Sequence, residues 1–151
     1  MFAPVKYPDD IEPLVQFVEE TAPENIVAET YEKLRSGTST KQMLLASALA
    51  VMRSSDLPPG HHGGPLHPIS GLHAVRHMAE RMEGEYAMMP VVQNVALSNK
   101  HIHSMAMGPY ILAETYPESV NDSVEETLEA MPYHLSRGAY NAMDHYYQFF
   151  R

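Results

Sequence analysis

The segment Leu57–Glu80, LPPGHHGGPLHPISGLHAVRHMAE, carries five of the chain's nine histidines. Imidazole is the side chain suited both to proton transfer near neutral pH and to transition-metal ligation. Two of these histidines and one carboxylate fall in a single helical register. At about 100° per residue, placing His73 at zero puts His77 at about 40° and Glu80 at about −20°. Leu72, Val75, Ala79 and Met82 fall on the opposite side. The spacing predicts two imidazoles and a carboxylate on one narrow polar face.

An i, i+4 histidine pair can reach one ion from a helix. Two imidazoles with a carboxylate suit non-haem iron first, with zinc, manganese or copper as alternatives. The expected metal ligands are therefore His73, His77 and Glu80, with His101 or His103 completing the shell from across the core. The competing reading is a solvated polar face in which Glu80 simply pairs with a neighbour.

His61, His62 and His67 lie just ahead of that helix. Gly60, Gly63 and Gly64 allow sharp turns and close backbone approach, while Pro58, Pro59, Pro65 and Pro68 stiffen the segment. These three histidines are expected at the mouth of a site, as proton carriers or substrate contacts. In SNKHIHSMAMGP, residues 98–109, a helical path sends His101 and His103 to opposite sides, so only one of them can join the shell.

The elements that must position these groups are short and helical. Ile11, Leu14, Val15 and Val18 follow the spacing of one helix face, with Asp9 or Asp10 as cap and Pro13 in the first turn. A second helix is expected over 23–36, burying Ile26, Val27, Tyr31 and Leu34 and ended by Gly37. Ser39 and Gln42 form a capping-box pair ahead of a core helix whose wide apolar arc includes Leu44, Leu45, Ala48, Leu49, Val51 and Met52. Further helices are expected over 68–83 and 91–107, then from Pro109, from Asp122 or Ser123, and from about Ser136 to the end. No segment alternates as a strand would. The implied fold is all-α, one domain of six to eight short helices in a bundle or irregular array, or one part of a larger protein or assembly.

Composition narrows the function. The chain has 151 residues, no cysteine and a formal net charge of −9. Absence of cysteine excludes disulfides, thiolate metal centres and thiol nucleophiles. The acidic balance disfavours nucleic acid. No apolar run reaches the ~20 residues of a membrane span, and the N-terminus lacks the pattern of a signal peptide, so a cytoplasmic protein is expected. The apolar C-terminal YNAMDHYYQFFR is expected either to close the fold or to contact a second copy or partner subunit. No Gly-x-Ser-x-Gly elbow, P-loop or His-Glu-x-x-His motif is present.

The segment LHPISGLHAVRHMAE, residues 66–80, resembles part of the questin-oxidase-like proteins, which are all-helical oxidoreductases with a His-Pro-apolar-apolar-His stretch. His67-Pro68-Ile69 follows that pattern. The chain departs from it at Gly71, with the next imidazole arriving at His73. The resemblance implies oxidative chemistry in a helical scaffold and, residue for residue, a role for His67 alone.

These readings converge on a metal-dependent oxidoreductase acting on a small organic molecule. Two other classes stay open. One is a non-catalytic helical interaction or assembly module with histidines at a subunit interface. The other is a protein binding haem non-covalently through a histidine, since the cysteines of covalent attachment are missing.

Overall fold

The computed structural model describes residues 4–54 and 67–104, together with positions 125, 128, 129, 132 and 136. The fold is all-α, as the periodicity implies: six α-helices and one 3₁₀ segment make up the regular structure of residues 4–104 that is described. The chain divides into two compact units, Lys6–Leu112 and a second formed by Met1–Val5 with Ala113–Arg151. In the second unit, positions 125, 128, 129, 132 and 136 are helical. The helices expected from Pro109 onward and the C-terminal aromatic segment otherwise lie outside the described residues. Among the described residues, no helix is long and apolar enough to cross a membrane.

α1 spans Glu12–Glu20, α2 Ile26–Arg35 and α3 Thr40–Arg53. α4 is the single turn His67–Ser70, α5 spans Leu72–Arg81, a 3₁₀ segment covers Gly84–Met88, and α6 spans Met89–Ile102. α1 starts from Ile11 without a side-chain cap, so neither Asp9 nor Asp10 performs that role. Pro13 does sit in its first turn, where no intrahelical amide donor is required.

α2 ends in a Schellman turn. The Thr38 amide donates to the Lys33 carbonyl and the Gly37 amide to Leu34, and Gly37 takes φ of 109°. Only glycine adopts that backbone without strain, which is why the helix stops there. α3 begins with the expected capping box: Gln42 N donates to Ser39 Oγ, and Ser39 N to Gln42 Oε1.

The core lies where α3 and α6 pack, with α1, α2 and α5 also contributing. Ala46, Ser47 and Ala50 are small and buried, which lets α6 bring Val91, Asn94, Val95 and Ser98 close. Asn94 Nδ2 donates to Ser47 Oγ across this contact at 3.2 Å. Val15 and Val18 of α1, Ile26 of α2 and Ile102 of α6 complete a fully enclosed apolar centre. Burying each such side chain is worth about 1.5–3 kcal/mol.

Two helix boundaries also differ from expectation. The helix over 68–83 is interrupted: the chain turns at Gly71 between α4 and α5. A Cβ at position 71 would stand 3.2 Å from the His67 carbonyl oxygen, so glycine permits that tight turn. α6 ends at Ile102, with His103 as its C-cap, short of Met107.

Candidate functional site

α5 shows the face that its sequence implies. Ala79 is buried, Leu72 and Val75 pack against the core, and His73, Arg76 and Glu80 face solvent with His77 half-buried beside them. One helix therefore positions the whole cluster, anchored from behind by its apolar stripe.

The two imidazoles meet edge to face, with ring centroids 4.3 Å apart and planes at 89°. Their Nε2 atoms stand 3.1 Å apart. Behind this pair, Glu80 Oε2 lies 3.1 Å from His77 Nδ1, and Arg76 Nε donates to Glu80 Oε1 at 2.7 Å. The Arg76 guanidinium, ahead of the His77 ring, holds the Glu80 carboxyl below the usual carboxylate range. A neutral imidazole that donates from Nδ1 to this carboxylate has its lone pair on Nε2, the nitrogen facing His73.

Glu80 thus orients His77 and does not stand on the Nε2 side with the two imidazoles. The expected ligand groups are not all brought together. Among the described residues, no group of three or more His, Asp or Glu side chains is arranged to hold one ion. Neither His101 nor His103, expected to close the shell, forms such a group with His73 and His77 among the described residues. His101 is half-buried on α6, where burial, then Lys100, then His67 lower its pKa. His103 is exposed at the end of α6. His67 is exposed on α4, near His101, while His61 and His62 lie outside the described residues.

Beside the histidine pair runs a groove between α3 and α5. Lys41, Leu44, Leu45, Ala48, Leu72, His73 and Arg76 line a hollow of about 300 Å³. A smaller hollow of about 140 Å³ continues it past Thr40, Ala79 and Glu80.

A second polar cluster escaped the sequence reading. Arg53, at the end of α3, has no exposed surface, and neither has Glu19 of α1. Arg53 Nε donates to Glu19 Oε1 at 2.9 Å, and its Nη2 donates to Oε2 of the same carboxylate. Nη1 reaches both oxygens of Glu12 at 2.7 and 2.9 Å. Ser54 Oγ donates to Glu19, the Tyr7 amide donates to Glu12, and Arg53 stacks 5.1 Å from the centre of the Tyr7 ring. The readable signal was a charge on an apolar stripe. Glu19 follows Ile11 and Val15 at helical spacing, and Arg53 follows Ala46 and Ala50.

A hollow of about 630 Å³ borders Tyr31, Glu83, Gly84, Glu85, Tyr86 and Met89. Glu85 pairs with Arg35 at 3.6 Å, and its carboxylate beside the Tyr31 hydroxyl holds the phenol above its ordinary value. None of the expected site residues lies there.

Comparison with protein-family models, with curated proteins and with solved structures returned no match.

Proposed function

We propose that His73 and His77 hold a divalent transition metal, and that the chain is a metal-dependent enzyme, an oxidoreductase acting on a small organic molecule. The carrying observation is the 3.1 Å separation of the two Nε2 atoms with Glu80 on the far side of the His77 ring. Metal–imidazole bonds are about 2.0–2.1 Å long, so two nitrogens at this separation subtend roughly 100° at a shared ion. That angle suits tetrahedral or octahedral coordination. A histidine ligand ordinarily has its other ring nitrogen held by a carboxylate or carbonyl, and Glu80 supplies this. Two protein ligands leave open positions, through which a metal gives Lewis-acid or redox chemistry to a bound molecule. Iron fits the expectation of oxidative chemistry best, with zinc, manganese and copper compatible with imidazole. The resemblance around His67-Pro68-Ile69 leans the same way.

Elemental analysis of untagged protein, purified without a nickel column, tests this. The expected result is near-stoichiometric metal in the wild type and none in the His73→Ala/His77→Ala double variant. Metal retained by the double variant, or a folded wild type that takes up no metal in titration, would remove the proposal.

A second reading is favoured by the exposure of the pair. A two-histidine half-site on a helix surface can be completed by the same residues of a second copy about a two-fold axis. The histidines would then serve assembly. Light scattering with and without zinc separates the readings: a doubled mass that needs both zinc and His77 supports assembly, and an unchanged mass at full metal content counts against it.

A further inference from the structure

The groove between α3 and α5 combines an apolar floor with a cationic rim. Its floor is apolar. Leu44 and Ala48 are buried, Leu72 packs on the core, and Leu45 is 49% exposed along its edge. Its rim is cationic. Lys41 and Arg76 line both adjoining hollows, so they stand at the junction between them. Among the described residues Lys41 has no ion pair, and Arg76 uses only Nε, on Glu80. The chain carries 10 Lys and Arg against 19 Asp and Glu, so two cations with spare valence on one apolar groove form a local inversion of charge.

We propose that this groove binds a small amphipathic carboxylate. The anionic head sits on Lys41 and the free edge of Arg76, and the apolar body lies over Leu44, Leu45, Ala48 and Leu72. The hollow of about 300 Å³ matches a small organic molecule. The smaller hollow contains Glu80, which repels a carboxylate, so the head stops at the junction. The body then extends along the larger hollow, whose lining includes His73. This names the substrate class of the site proposed above, and it rests on that reading only in setting the ligand beside a metal. A groove with a fixed apolar floor and a cationic junction discriminates by charge at one end and by length at the other. Hydrocarbon chains with neutral or cationic heads gain the floor without the junction.

Calorimetric titration of the full chain with octanoate, octanol and octylammonium, in chelator-treated buffer, tests the assignment. Octanoate should bind saturably, at least tenfold more tightly than octylammonium. Lys41→Glu should weaken octanoate at least tenfold and Lys41→Gln less. Lys41 is exposed on α3, so both variants should keep the wild-type circular dichroism. Octanoate binding that is absent, matched by octylammonium, or indifferent to Lys41→Glu would overturn the proposal. Zinc titration of wild type and His77→Ala, a residue outside the groove lining, is read separately. Protein that binds octanoate but no zinc keeps the groove and removes the metal reading. Protein that binds zinc but no octanoate keeps the metal and removes the groove.

Discussion

Arg53 and Glu19 meet in the interior, Nε 2.9 Å from Oε1, with no exposed surface on either residue. Both charges have been taken out of water: Glu19 is tolerable because Arg53 is there, and Arg53 because Glu19 and Glu12 share its charge. The pair also fastens α1 to α3, since 34 residues separate its members.

Removing one partner should therefore cost far more than removing both. Glu19→Ala or Arg53→Met alone is expected to destabilise the protein by about 3–5 kcal/mol. The combined Glu19→Leu/Arg53→Met variant should recover a large part of that loss. Urea denaturation of the two singles and the double reads this directly. Singles within about 1 kcal/mol of wild type would mean that the pair adds nothing beyond a surface ion pair.

Acidification should lower stability in two windows. Burial, then Lys100 and His67, hold His101 below its ordinary value. The unfolded chain accordingly takes that proton first, and the stability conferred by neutral His101 is lost as pH falls below about 6.5. Burial pushes Glu12 up, but hydrogen bonds from the Tyr7 amide and Arg53 outweigh it and leave its carboxyl lowered. Its contribution is present above about pH 4.3 and is lost as pH falls through the folded value beneath that. His101→Gln should flatten the upper step while leaving the lower one. Denaturation midpoints between about pH 7 and pH 5 will show an unchanged upper step if another group is responsible.

Glu80 should tune metal affinity without being a ligand. Glu80→Gln is expected to weaken zinc about 10- to 100-fold, whereas His73→Ala or His77→Ala should remove stoichiometric binding. Affinity should also fall on acidification, because the imidazole lone pairs must be free. Competition against a chromophoric chelator measures all three. Equal losses from Glu80→Gln and His77→Ala would instead make Glu80 a direct ligand.

Asn99 caps a helix that is distant in the chain. Its Nδ2 donates to the Val18 and Thr21 carbonyls at the end of α1, both at 2.8 Å, while its Oδ1 is buried with no hydrogen-bond partner among the described residues. Asn99→Ala should cost about 1–3 kcal/mol by stranding those carbonyls. Asn99→Asp should cost more, because a carboxylate cannot donate to them. Thermal denaturation ranks the two. A harmless Asn99→Asp would show that α1 finds another cap.

The features legible from the chain are those closed within one turn of helix. The Ser39–Gln42 box, the stop at Gly37 and the shared face of His73, His77 and Glu80 each depend on residues three or four positions apart. Backbone geometry alone sets those distances. The pairing of Glu80 with a neighbour, the competing reading of that face, is local too; which oxygen takes Arg76 and which takes His77 Nδ1 is a matter of side-chain rotamer that spacing does not fix.

Which arc of a broad apolar helix turns inward is a different kind of question. α3 is apolar over most of its circumference, so Leu45 and Met52 read as core as readily as Met43 and Ala46. In the fold Leu45 and Met52 are about half exposed, while Met43 and Ala46 have no exposed surface. Val27 of α2 is likewise 53% exposed and Thr30 is buried. The rotation of each helix follows from fit against its neighbours, here from the small residues that admit α6. From its own pattern the chain specified most of its helical segments, the cap of α3, the stop of α2 and the chemistry gathered on one face of α5. Packing chose the buried faces, joined Arg53 to Glu19, and cut the groove that sets Lys41 beside Arg76. Those relations cross helices, and their energy comes from desolvation and close packing, which no helical period encodes.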